Sequence, residues 1–125
     1  MKLLYLYISI CSFISILMEN KNFAFIKTDK KMIRLFYDDL TVIKGLGNYV
    51  EISTTTGKKY VYYKALKELI EDLPDQFMRI HNSYIINLTN VECFENNQLT
   101  LGDVKISVAK SYRECLATSL NNMML

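Results

Sequence analysis

The stretch FMRIHNSYIINL, residues 77–88, constrains this chain more than any other. Its even positions carry Met78, Ile80, Tyr84, Ile86 and Leu88, and its odd positions include Arg79, His81, Ser83 and Asn87. A period of two is the mark of extended backbone, whose side chains alternate between two faces. The alternation predicts β structure with one apolar and one polar face, broken once at Asn82 within the polar run His81-Asn82-Ser83. An amide at a position the period would bury must be hydrogen-bonded, turned to solvent or kept for a ligand. His81 and Asn82 therefore form a candidate binding tip.

The rest of the chain is punctuated in the same β manner. FAFIKT and MIRLFY flank the polar turn Asp29-Lys30-Lys31, and LTVIKG and YVEISTT flank the glycine-containing segment at Gly45 and Gly47. Thr56-Gly57, Asn96-Asn97 and Gly102-Asp103 each separate two short strand-like runs at the spacing of two-residue hairpin loops. Two stretches depart from this pattern. Leu66, Leu69, Ile70 and Leu73 have helical spacing before Pro74, and Tyr112, Leu116, Leu120 and Met123 line a second helical face near the end. Ser111 and Glu114 fit a capping box for that last helix. The predicted fold is mainly β, a compact antiparallel multi-sheet domain with one internal and one C-terminal helix. It is preceded by an apolar N-terminal helix.

That apolar segment, LLYLYISICSFISILM at residues 3–18, divides the chain into residues 1–21 and a domain over residues 22–125. As a helix it spans about 24 Å, short of a hydrocarbon core of about 30 Å. Two readings stand level: a membrane anchor, or the remnant of an upstream domain. The basic residues that follow (Lys21, Lys27, Lys30, Lys31, Arg34) would keep an anchored domain inside the cell. A signal peptide ranks behind both, because no small-x-small cleavage site follows Met18.

Composition and residue chemistry argue against catalysis. His81 is the sole histidine, and Cys11, Cys93 and Cys115 have neither disulfide-framework nor zinc spacing, so no metal and no cofactor is expected. No glycine-rich phosphate loop or paired-carboxylate constellation is present, and His81 beside Ser83 lacks an orienting third group. An enzyme is not expected. A formal net charge of only +2 means that any binding to nucleic acid rests on a local patch. The nine tyrosines read better as strand and core residues than as a base-stacking platform.

Three ordered blocks, DDLTVIKGLGNYVEIST, KKYVYYKALKELIEDLPDQFMRIHNSYIINLTNVE and LTLGDVKISVAKSY, together resemble the LytTR DNA-binding domain. The helix, Leu-Pro, Phe-x-Arg-Ile-His-x-Ser-Tyr-Ile-x-Asn order is the most specific part, and the resemblance runs from about Asn22 to Leu120. It implies an antiparallel β domain of several small sheets, found mostly as the output module of bacterial response regulators. Such a domain inserts loops into successive DNA grooves. The contacting loops correspond here to Gly47-Asn48-Tyr49, His81-Asn82 and Ala109-Lys110-Ser111. Two departures are visible: Lys44 stands where the family usually has an acid, and Ser107-Val108-Ala109-Lys110-Ser111-Tyr112 replaces the common Pro-Val-Ser-Arg-Arg-Tyr.

The residues and the resemblance together predict a cytoplasmic regulator of transcription that binds double-stranded DNA. Its DNA-binding residues would be Asn48, Tyr49, Arg79, His81, Asn82, Ala109, Lys110 and Ser111, with Lys64 and Lys67 as further phosphate ligands. Asn can pair with an adenine edge, and Lys110 can reach guanine acceptors or a phosphate. Arg79 is left between a phosphate contact and an internal ion pair. Further partners would be a membrane protein or sensor reached through residues 1–21, and a second copy on DNA. The competing prediction is a membrane-associated interaction module that does not bind DNA. A secreted β domain ranks third.

Overall fold

The computed structural model describes residues 22–125, so the apolar segment and its predicted helix lie outside the described residues. Strands β1 (Phe23–Thr28) and β2 (Lys31–Phe36) form a separate two-stranded hairpin closed by Asp29-Lys30, with Asp29 at φ 49°. A 3-10 turn at Tyr37–Asp39 leads into β3 (Leu40–Leu46), then β4 (Tyr49–Thr54), β5 (Lys59–Tyr62) and helix α1 (Leu66–Asp72). Next come β6 (Phe77–His81) and β7 (Tyr84–Asn87), a 3-10 turn at Leu88–Asn90, and strands β8 (Cys93–Glu95), β9 (Gln98–Leu101) and β10 (Val104–Ser107). A 3-10 turn at Lys110–Tyr112 runs straight into helix α2 (Arg113–Asn121). The central sheet has the order β5-β4-β3-β7-β6, and a third sheet has the order β10-β9-β8.

The central sheet is the middle layer of the molecule. Ile43, Val50, Ile52, Phe77 and Ile85 point to one side, where β1–β2 contributes Ile26 and Leu35 and α1 contributes Leu66 and Leu69. Val42, Ile80 and Ile86 point to the other side and meet Leu99, Leu101, Ile106 and Val108, closed off by Leu116 of α2. Each fully buried isoleucine removed from water contributes about 1.5–3 kcal/mol. Ile43, Ile80, Ile85 and Ile86 are all under 2% exposed.

This layering corrects the reading of residues 77–88. The even positions do face one core: Met78, Tyr84 and Leu88 pack beside Ile80 and Ile86. The odd face is also covered, so Ile85 is fully buried there. Nor is the stretch one interrupted strand. Asn82 and Ser83 form the turn of the β6–β7 hairpin, with a register shift between Arg79 and His81.

The amide that the interior holds is Asn87, at 0% exposure, and not Asn82. Its Nδ2 donates to the carbonyls of Tyr37 and Leu40 at 2.8 and 2.9 Å. Its Oδ1 accepts from Thr89 N, Thr89 Oγ1 and Gln76 Nε2 at 3.1, 2.7 and 3.1 Å. One side chain thus ties the end of β7 to the turn that launches β3. Every polar atom is satisfied, as a buried amide requires.

Three smaller expectations also change. The β4–β5 connection is four residues, 55–58, and not a two-residue loop, because Thr54 Oγ1 and Thr54 N both bond to the Lys58 carbonyl and widen it. The Ser111/Glu114 capping box does not form. The 3-10 turn makes Tyr112 the N-cap of α2, with no side-chain cap. Met123 lies beyond the helix and is 58% exposed. The Asn96-Asn97 turn is as expected: both residues have positive φ, 53° and 59°, the requirement of a type I′ hairpin turn.

Candidate nucleic-acid interface

Strand direction gathers the candidate loops at one end of the central sheet. Lys44 of β3 pairs with Tyr84, the first residue of β7, and Leu46 pairs with Tyr49. The Gly47-Asn48 turn and the Asn82-Ser83 turn therefore leave the same edge, the former about 10 Å beyond the Lys44–Tyr84 pair at strand rise. Gly47 sits at φ +73°, a conformation side chains resist, which lets the chain reverse in two residues. Gly45 N donates to Ser83 O at 2.8 Å and links the two hairpins. At the opposite end of β3, Tyr37 N donates to Asn22 O, so the described chain enters at the pole away from these turns.

The third loop is docked onto the second. Val108, 1% exposed, anchors it in the core, and Ala109 N donates to the Ile80 carbonyl at 2.9 Å. Tyr112 N returns to Ala109 O at 2.9 Å, which fixes the 3-10 turn carrying Lys110 and Ser111. The Tyr112 hydroxyl then donates to Asn82 Oδ1 at 3.2 Å. Lys110 and Ser111 are exposed at the front of this turn.

The tip itself is held from within. Arg79 Nη2 donates to the Asn82 carbonyl at 2.7 Å, and its Nε makes a longer contact to the His81 carbonyl at 3.4 Å. Arg79 is thus neither in an ion pair nor wholly offered to phosphate; its guanidinium clamps the turn. His81 Nδ1 accepts from Ser83 N at 3.1 Å, so the ring proton sits on Nε2, and the ring lies 5.5 Å from that of Tyr84. Asn82 is exposed and His81 half-buried.

The remaining candidates are less connected. Tyr49 is half-exposed beside Asn48 and stands edge-on to Tyr63, centroids 4.9 Å apart. Lys64 is occupied by Asp72, whose hydrogen bond holds the ammonium above its ordinary range. The pair lies at the surface, where such a bond is weak, and Lys67 on α1 is exposed. Sequence reasoning missed two members of this edge, Tyr63 and the Tyr112 hydroxyl. Tyr112 had read as a helix-face core residue, and its ring does pack against the second core. Only its position beside the polar tip signals the second role.

Elsewhere, an open cleft of about 560 Å³ lies between β3–β4 and the β9–β10 turn, lined among others by Lys44, Lys59, Lys105, Glu51, Glu92 and Asp103. Among the described residues no cluster of His, Cys, Asp and Glu is placed to hold a metal, and no helix is long and apolar enough to cross a membrane.

Comparison with known proteins agrees with this arrangement. No curated protein sequence matches the chain. Among solved structures, the fold is similar to a LytTr DNA-binding domain from Bacillus cereus, at 18% identity and a TM-score of 0.68 over 81% of this chain and 98% of that one. The family profile of the LytTr DNA-binding domain matches residues 30–121. Matched over most of its length, the chain belongs to the LytTR family of DNA-binding domains.

Proposed function

We propose that this protein is a sequence-specific regulator of transcription in the cytoplasm. It would bind duplex DNA by inserting the Gly47-Asn48-Tyr49, His81-Asn82 and Ala109-Lys110-Ser111 loops into successive grooves. The observation that carries the reading is the coupling of the second and third loops, through Tyr112 to Asn82 and Ala109 to Ile80, at the sheet end that also bears the first. Loops braced in this way reach into a groove without losing much conformational freedom on binding. With a net charge of only +2, attraction to phosphate falls to local cations, among them Lys110 on the turn beside the tip. The deciding experiment is a gel shift of residues 22–125 against the DNA upstream of the protein's own gene. A retarded band that survives excess scrambled duplex supports the reading, and its stoichiometry reports whether two copies share a site. No shift at any salt turns the argument toward the interaction module.

Lys110 gives a finer expectation. Its ammonium is a hydrated point charge on a flexible stem, whereas a guanidinium presents a planar fork to guanine O6 and N7 together. Lys110→Arg should tighten cognate binding and leave the salt slope nearly unchanged, since the charge is kept. Lys110→Ala should reduce that slope by about one if the ammonium neutralises a phosphate. Affinities measured over a salt series on cognate and scrambled duplexes check both. Unchanged values for both variants place Lys110 outside the interface.

Residues 1–21 precede the pole away from the loops, a placement in which a tether would leave the DNA edge free. In cell fractionation the full chain should partition partly to membranes and residues 22–125 should not. A full chain that is wholly soluble and monodisperse favours the remnant of an upstream domain.

A further inference from the structure

The hydrogen bonds that brace the tip also decide which bonding groups it has left to offer. Asn82 Oδ1 is engaged by the Tyr112 hydroxyl at 3.2 Å, and His81 Nδ1 is engaged by Ser83 N at 3.1 Å. What these bonds leave unengaged is Asn82 Nδ2, with two N–H groups on an exposed side chain, and Nε2–H of the half-buried His81. Lys110, exposed on the adjoining turn, adds a third donor. An asparagine that reads adenine needs its Oδ1 to accept from N6 while Nδ2 donates to N7. Here the carbonyl is already polarised and oriented by a phenol that cannot easily follow it. The Tyr112 ring packs in the second core and its backbone is bonded to Ala109. Guanine, by contrast, presents two acceptors side by side, O6 and N7, and asks for donors alone.

We infer that Tyr112 is a positioning residue that turns Asn82 into a hydrogen-bond donor, and that the base read by the His81-Asn82 tip is a guanine. The inference rests on the DNA-binding reading above and goes beyond it in naming the base and the residue that sets the choice. The oxygen keeps a second lone pair, so Tyr112 biases the choice without making it absolute.

The test is selection of bound duplexes from a random pool by residues 22–125, a unit that contains both cores and the whole hydrogen-bonded sheet. The selection is run for wild type, Asn82→Ala, Tyr112→Phe and the double variant, and affinities are then measured on the selected site and its single-base changes. For wild type, one guanine should be required, with replacement by adenine costing about tenfold, within the range of one good base contact. Asn82→Ala should erase that preference. Tyr112→Phe keeps the buried ring and loses only the hydroxyl. It should lower the guanine-over-adenine ratio about fivefold or more, the low end of one base contact, without moving the melting temperature or the scrambled-duplex affinity. In the Asn82→Ala background it should add nothing. An adenine or pyrimidine at the position that Asn82→Ala erases overturns the inference. So does a Tyr112→Phe variant with an unchanged ratio, or an additive double variant. A pool that yields no enriched sequence overturns the DNA-binding reading and this inference together, whereas an enriched site lacking the guanine overturns the inference alone.

Discussion

Asn87→Ala is expected to lower the free energy of unfolding by about 2–4 kcal/mol, a large share of the roughly 5–15 kcal/mol that holds a domain of this size together. The variant takes one of two donors from the Tyr37 carbonyl, which keeps the Leu40 N–H, and takes from Thr89 N and Oγ1 their Asn87 acceptor. The Leu40 carbonyl keeps a second donor, Asn90 Nδ2, which limits the loss. Each hydrogen bond lost is worth about 0.5–1.5 kcal/mol net, several are lost together, and the amide's volume is lost as well. Asn87→Asp should be worse at neutral pH, because an ionised carboxylate would face the two carbonyls that now accept from Nδ2. Burial and those carbonyls raise the folded-state pKa of such an aspartate above its unfolded value of about 3.9. The penalty is therefore present at high pH and fades as pH falls through the raised value. Urea unfolding of residues 22–125 measures both. A loss under about 0.5 kcal/mol for Asn87→Ala, the range of surface substitutions, would mean that Asn87 does not hold β7 to the start of β3.

Asn82→Ala should have the opposite profile. Affinity for the cognate site should drop by about 1–3 kcal/mol, with much less change on scrambled duplex, and stability should stay within about 0.5 kcal/mol. The separation is physical. The turn is clamped by Arg79 through the Asn82 main-chain carbonyl, which alanine retains, and Asn82 is exposed, so the Tyr112 hydroxyl can donate to water with its ring in place. What the variant loses is the exposed amide. Equal losses on both duplexes, or a lowered melting temperature, would show Asn82 to be a structural residue of the hairpin. The two asparagines lie five positions apart in one hairpin, so the pair of variants also separates folding from recognition within a single element.

That pair shows how far the sequence could be read. Alternation in residues 77–88 placed Met78, Ile80, Tyr84, Ile86 and Leu88 on one face, and they do share a core. Alternation cannot tell whether the other face is also covered, so Ile85 and Asn87 read as the exposed side until β1–β2 and α1 were seen to pack there. The turn at Asn82-Ser83 was hidden because it has no glycine and because the strands on either side of it keep the same parity. Helix α1 was legible from leucine spacing ahead of Pro74, and most hairpins from their Asn and Gly pairs. The start of α2 was not. The Ser111/Glu114 pattern is local, whereas the docking of Ala109 on Ile80 and of Tyr112 on Asn82 brings a 3-10 turn to that position. The His81-Asn82 tip was named from the break in alternation, and the other two loops through the ordered family pattern. Their mutual bracing depends on contacts between residues distant in sequence, which no local pattern encodes, whereas the Arg79 clamp and the Lys64–Asp72 pair are local but depend on side-chain conformations that residue order does not specify.

DNA should meet the end of the sheet where the three loops emerge. Titrating labelled residues 22–125 with a selected duplex, and following backbone amide shifts, tests it most directly. The largest changes are expected at Gly47-Asn48, His81 to Ser83 and Ala109 to Ser111, with little at Asn22, at residues 55–58 or at Asn90 on the opposite pole. Shifts concentrated instead on the β1–β2 hairpin or along the cleft between β3–β4 and β9–β10, with the three loops silent, would contradict it.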